Sequence, residues 1–150
     1  MLVKIYDTNP NPAEIRRVAE VVRKGGIIIF PTDGVYAFGC DIFNGAGVEF
    51  ISKLKNKDLR KANLSFVCCE MSQISEYAKM DDVSFRLMKK NLPGPFTFIL
   101  PGSSKLPKLF KNKKMVGIRM PDNAIALEIV RELGNPMMTS SIFTDEKTTE

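Results

Sequence analysis

Residues 25–40 read GGIIIFPTDGVYAFGC, two short apolar runs folded about a polar corner. Gly25 and Gly26 close a helical pattern, Ile27 to Phe30 is short enough for a buried strand, and Pro31 stops it. Thr32 and Asp33 then place a hydroxyl and a carboxylate at a strand end. Gly34 frees the backbone, and Val35 to Phe38 resumes an apolar strand bearing one phenol, Tyr36. Ligands of open α/β sheets sit beyond such strand ends. A tight turn in which Thr32 and Asp33 satisfy backbone groups accounts for the same residues without a ligand.

On the N-terminal side, Leu2 to Tyr6 alternates as a short strand does. Asn11, Pro12 and Glu14 supply an N-cap, a first-turn proline and a capping-box partner for a helix whose inner face is Ile15, Val18, Val21 and Val22. On the C-terminal side, Gly45 to Lys55 has helical spacing through Val48, Ile51 and Leu54, and Asn63 to Cys69 reads as a strand. A short helix around Ser72 to Tyr77 follows. A second begins at Asp82 with Val83, Phe85, Leu87 and Met88, and Pro93-Gly94-Pro95 breaks it. Phe96 to Leu100 reads as a buried strand, Ser103 to Met115 as a connection with one turn of helix, and Val116 to Met120 as a strand with Arg119 near its end. Asp122 or Asn123 caps a helix over Ala124 to Leu133 with Gly134 after it. Met137 to Ile142 is the last strand, and residues 143–150 form a loose polar tail. Alternating elements with proline-broken corners predict an α/β fold, one domain over residues 1–150, built on a twisted mixed sheet flanked by helices.

Composition narrows the chemistry. The 150 residues include no histidine and three cysteines, Cys40, Cys68 and Cys69, without a Cys-x-x-Cys spacing. The usual zinc sets and any Ser-His-Asp or Cys-His nucleophile are therefore excluded. The cysteines read as reduced core thiols, and the N-terminus has no secretory pattern, so a cytoplasmic location is expected. No apolar run reaches the roughly 20 residues needed to span a membrane. Lys and Arg total 22 against 17 Asp and Glu, a formal charge of +5, clustered at Lys53 to Lys61 and Lys105 to Lys114. Such runs attract phosphate-bearing partners or form a solvated basic surface.

No Walker or dinucleotide-binding glycine motif occurs, so a nucleotide would be held by point charges such as Lys53, Lys55, Lys57, Arg60 and Lys61. Arg119, inside VGIRMP, places a guanidinium at a strand end. It can grip a carboxylate or phosphate through two parallel hydrogen bonds, or form a salt bridge with Asp33 or Asp122. Thr139, Ser140 and Ser141 offer hydroxyls to phosphate oxygens or to a turn.

Taken in order, PTDGVYAFG at 31–39, KNK at 55–57, PGPFT at 93–97, RMP at 119–121 and TSSI at 139–142 resemble the YrdC/YciO family. The segments NLSFVCC and FRLMKKNLPGPFTFIL look most like its YciO branch. The resemblance implies a twisted sheet with a basic concave surface. It also implies ATP-dependent formation of L-threonylcarbamoyl-adenylate from L-threonine, bicarbonate and ATP with Mg²⁺, a nucleotidyl transfer that begins threonylcarbamoyl modification of tRNA adenosine. By that likeness Thr32, Tyr36 and Arg119 hold threonine, with Arg119 on its carboxylate, and Lys55 and Ser140 address the nucleotide phosphates. Lys57 replaces an arginine of the family pattern, with Arg60 near enough to substitute. Ile142 replaces an asparagine, Gly34 a threonine and Ala37 a glycine. A different class of function, a non-catalytic module binding tRNA, double-stranded RNA or nucleotide on the basic face, explains the charge equally.

Overall fold

The first helix, α1 (Pro12–Arg23), starts where Asn11 Oδ1 accepts the amide of Ala13 at 2.9 Å, with Pro12 in the first turn. It stops in a glycine-terminated C-cap. Gly25 adopts φ +96°, its N–H reaches the Val22 carbonyl, and the Gly26 N–H reaches that of Val21. The computed structural model describes residues 2–6, 8–54, 65–110 and 114–142. After α1 come β1 (Ile28–Pro31), β2 (Tyr36–Asp41), α2 (Gly45–Leu54), β3 (Ser65–Val67), α3 (Met71–Tyr77), α4 (Asp82–Asn91), β4 (Thr97–Pro101), a 3-10 turn at Lys108–Phe110, β5 (Met115–Arg119), α5 (Ala124–Leu133) and β6 (Met137–Ser141). Asn123 caps α5 through Ala126 N–H, and Gly134 ends it at φ +86°. Among the described residues no helix is long and apolar enough to cross a membrane.

The strands form one six-stranded sheet in the order β1-β2-β6-β3-β5-β4. Only β3 and β5 run parallel, so the sheet is mixed, as the short connections predict. Both edge strands, β1 and β4, contain a proline, Pro31 and Pro101, where a missing N–H breaks no ladder. Alternation along the strands divides the core. On one face Phe30, Ala37, Val67 and Met137 meet Ile15 and Val22 of α1 and Ile125, Ile129 and Val130 of α5. On the other, Cys40, Phe66, Ile118 and Met138 meet Val48 and Ile51 of α2, Ile74 and Tyr77 of α3, Met88 of α4 and Phe110.

Several expectations change. Leu2 to Tyr6 is not a strand; Ile5 packs against the α1/α5 core without pairing. Val21 lies on the outer side of α1, where Ala19 is buried instead, and Leu54 at the end of α2 is half exposed. The helix expected from Asp82 forms as α4, with Met88 its buried residue and Val83, Phe85 and Leu87 exposed. Phe96 to Leu100 is not a buried strand: β4 is an edge strand, with Phe96 and Ile99 exposed. Lys55 and residues 63–64, the expected ends of α2 and β3, and the tail 143–150 lie outside the described residues.

Cys40, Cys68 and Cys69 are free and buried. Burial, and secondarily the Asp41 carboxylate, pushes the Cys40 thiol from 9.0 up to about 12. Burial raises Cys68 and Cys69 as well. In the unfolded chain these thiols ionise near their ordinary value of 9.0, so above that pH the folded state holds more protons than the unfolded one. The stability they contribute is complete below that pH and is lost as pH climbs toward the folded values. Chemical denaturation from pH 7 to 10.5 should show a falling midpoint, with native thiols unreactive to alkylation at pH 7.5; rapid modification of folded protein would contradict the burial. Gly39 tests the packing between β1 and β2. A Cβ there would lie 2.6 Å from a Phe30 ring carbon and 3.4 Å from Met137 Sδ. Gly39→Ala is expected to cost about 1–3 kcal/mol, whereas Gly34→Ala, with no atom within 4 Å of the new Cβ, should cost nothing measurable. Equal urea midpoints for the two variants would contradict the packing.

Candidate functional site

The tip joining β1 to β2 is built by Thr32. Its amide and hydroxyl both donate to the Val35 carbonyl, and its Oγ1 accepts from the amides of Gly34 and Val35. Thr32 is therefore the turn-former. Its hydroxyl is fully engaged within the tip.

Asp33, next along the tip, points out of the turn. Its Oδ2 accepts the Asp122 amide at 3.0 Å, and Oδ1 lies 3.5 Å from Nη2 of Arg119. Asn123 adds a third tie, Nδ2 to the Thr32 carbonyl at 3.4 Å, while its Oδ1 caps α5. Strand register makes this meeting unexpected. Arg119 lies in the row of Val67, Met137 and Asp41, at the far end of β2 from Tyr36. A sheet with the usual twist lifts diagonally opposite corners toward the same face. The hairpin tip and the end of β5 are such corners, and they meet over the face that carries α1 and α5.

The pair is largely enclosed, with side-chain exposures of 20% for Arg119 and 10% for Asp33. The Arg23–Glu20 pair is shorter, at 2.6 Å, but its side chains are 44% and 48% exposed, so water and salt screen it far more. Among the described residues Asp33 is the one side chain paired with Arg119, and through a single long contact. Toward the described residues, four of the five guanidinium donors carry no contact, and a planar acceptor is the shape that matches them.

Alternation also sorts the other residues singled out in the sequence. Thr139 stands opposite Ser65, which stands opposite Gly117, and Gly117 lies two residues before Arg119 on β5. All four side-chain positions belong to the Arg119 face. Thr139 is buried, and its hydroxyl has no partner among the described residues, a costly state for a polar group. Tyr36 and Ser140 face the other way. Ser140 is opposite Phe38, whose side chain joins the α2/α3 core, and Tyr36 is two residues before Phe38. The expected grouping of Tyr36 with Arg119 on one ligand is thus not what the structure brings together; register, a long-range property, separates them. Lys55, Lys57 and Arg60 lie outside the described residues. A cleft of about 300 Å³ at the start of α1, lined by Ile15, Arg16, Glu128 and Glu132 among others, includes none of these residues.

Sequence reasoning read Asn123 only as a helix cap, and no local signal marks its second bond to the tip. The register of β6 is what separates Thr139 from the neighbouring Ser140 hydroxyl, and no local pattern in the sequence encodes it.

Comparisons with known proteins agree with the fold and the motifs. The family described as "Telomere recombination", Sua5/YciO/YrdC, matches residues 20–149. The uncharacterized protein YciO of Escherichia coli is 39% identical over 141 residues, 93% of this chain and 68% of that protein. Its crystal structure superposes with a TM-score of 0.83 over 91% of this chain and 66% of that chain. The crystal structure of P. abyssi Sua5 complexed with L-threonine superposes with a TM-score of 0.81 at 27% identity, covering 89% of this chain and 39% of that one. A threonylcarbamoyl-AMP synthase of Vibrio vulnificus is 23% identical over 133 residues, 86% of this chain and 71% of that protein. The chain thus spans about two thirds of YciO and a smaller part of the Sua5 chain. With a family match over most of its length and a 39% identical relative, the chain belongs to the Sua5/YciO/YrdC family.

Proposed function

We propose that this chain carries an ATP-dependent synthase site of the L-threonylcarbamoyl-adenylate type, with the amino-acid carboxylate on Arg119. The observation that carries the reading is the enclosed Arg119 guanidinium at a strand end, which among the described residues has one long side-chain contact, to Asp33. The likeness to a Sua5 structure complexed with L-threonine supports the choice of amino acid.

The chemistry suits a chain without histidine. The bound threonine ammonium first releases one proton to solvent; the free amine then adds to the carboxyl carbon of bicarbonate, and water leaves with one amine proton, giving an N-carboxylate. An oxygen of that carboxylate attacks the α-phosphorus of ATP, and pyrophosphate leaves. Two carboxylates then compete for the phosphorus, so the site must restrain threonine's own. A bidentate Arg119 does this while leaving the N-carboxylate free, and the rest is positioning and charge neutralisation. Lys55, Lys57 and Arg60 are assigned to the phosphates, with Mg²⁺ arriving on the nucleotide. Thr32 sets the tip that carries Asp33, and Tyr36 flanks the tip from its outer side. The adenylate would then pass its threonylcarbamoyl group to tRNA adenosine.

The test is a chromatographic and mass-spectrometric assay for threonylcarbamoyl-AMP and pyrophosphate with ATP, Mg²⁺, bicarbonate and L-threonine, beside a no-threonine control. Threonine-dependent product is expected. Arg119→Lys, which keeps a charge opposite Asp33 but loses the planar fork, should lower kcat/KM for threonine roughly 10- to 100-fold with little change in Tm. Undiminished turnover in that variant would remove Arg119 from the site. Absence of product together with salt-sensitive RNA binding would favour the non-catalytic reading.

A further inference from the structure

We propose that Asp33 is a specificity residue: with Arg119 it forms a two-charge receptor for a zwitterionic α-amino acid, Arg119 taking the carboxylate and Asp33 the ammonium. This rests on the reading that Arg119 holds the ligand's carboxylate, and it adds the group that tells an amino acid from a plain carboxylate.

The geometry sets the two charges apart in character. Asp33 is fixed: Oδ2 is tied to the Asp122 backbone amide at 3.0 Å, and the tip bearing it is braced again through Asn123 and Thr32. Oδ1 is only loosely engaged, at 3.5 Å from Nη2 of Arg119. A carboxylate accepts at about four lone-pair positions, and these two contacts leave acceptor capacity beside the guanidinium. The opposed charges, 3.5 Å apart at their nearest atoms, match the adjacent opposed charges of an α-amino acid. A simple anion is served differently. It gains Arg119 but meets Asp33 as a like charge in an enclosed site, where repulsion is weakly screened. An α-amino acid turns that repulsion into a second charge-assisted hydrogen bond. In the free protein Asp33 also compensates the enclosed guanidinium, so Arg119 stays oriented for its ligand.

Isothermal titration of the whole chain, with and without ATP and Mg²⁺, tests this with L-threonine, glycine and L-serine and with their deamino counterparts, (R)-3-hydroxybutyrate, acetate and 3-hydroxypropionate. The wild type should prefer L-threonine to (R)-3-hydroxybutyrate by at least about tenfold, the scale of one charge-assisted contact. Asp33→Asn keeps an oxygen for the Asp122 amide and should bring that ratio close to one. Asp33→Glu should preserve it. A wild-type ratio near one for all three amino acids against their deamino counterparts, ratios unchanged in Asp33→Asn, or no amino-acid binding at millimolar concentration would overturn the inference. If threonylcarbamoyl-AMP still forms in those cases, the synthase reading survives alone. If glycine or L-serine shows the Asp33-dependent preference and L-threonine does not, the receptor stands and threonine is the wrong amino acid.

Discussion

Asp33 joins two parts of the molecule that no strand pairing connects. Its carboxylate receives the Asp122 amide and the Arg119 guanidinium across sequence separations of 89 and 86 residues, respectively. That contact, together with the Asn123 bond to the Thr32 carbonyl, holds the β1–β2 tip against the β5–α5 corner. With it, the tip is drawn over the α1/α5 face and the β5–α5 corner is closed. The sheet's twist makes the approach possible, and the carboxylate fixes the distance. Removing either partner would leave an enclosed charge uncompensated, which costs more than forming the pair gains.

The remaining structure sets the stage for this corner. Asn123 couples helix initiation to the tip, since one side chain caps α5 and bonds the Thr32 carbonyl. The Schellman close at Gly25 and Gly26 turns α1 into β1, and Arg23 reaches the Glu132 carbonyl near the end of α5. The helix pair is thereby tied at that end as well. The opposite face carries the larger core, with Phe66 and Phe110 in edge contact at 5.0 Å. It holds the sheet rigid from behind, so the charged corner rests on packed strands rather than on a loop alone.

Elements with local punctuation were legible in the sequence. Asn11-Pro12, Gly25-Gly26, Asn123 and Gly134 set the helix ends because capping acts within one turn of chain. Leu2 to Tyr6 misled because alternation is necessary for a strand but does not supply a partner edge. At the site, the residue types at the corner were legible, including an Arg119–Asp33 pair as one alternative. The facing of Tyr36, Thr139 and Ser140 was not, since one residue of register decides it and register is fixed by pairings far apart in sequence.

The most direct measurement is a backbone and arginine-side-chain ¹H–¹⁵N NMR titration with L-threonine. Shift changes concentrated at the Asp33 and Asp122 amides, the Arg119 Nε–H and Thr139 are expected if the ligand lies on the α1/α5 face. Changes confined to Tyr36, Ser140 and Ile142, with the Arg119 signal unmoved, would place the ligand on the opposite face and contradict the central role given to the Asp33–Arg119 corner.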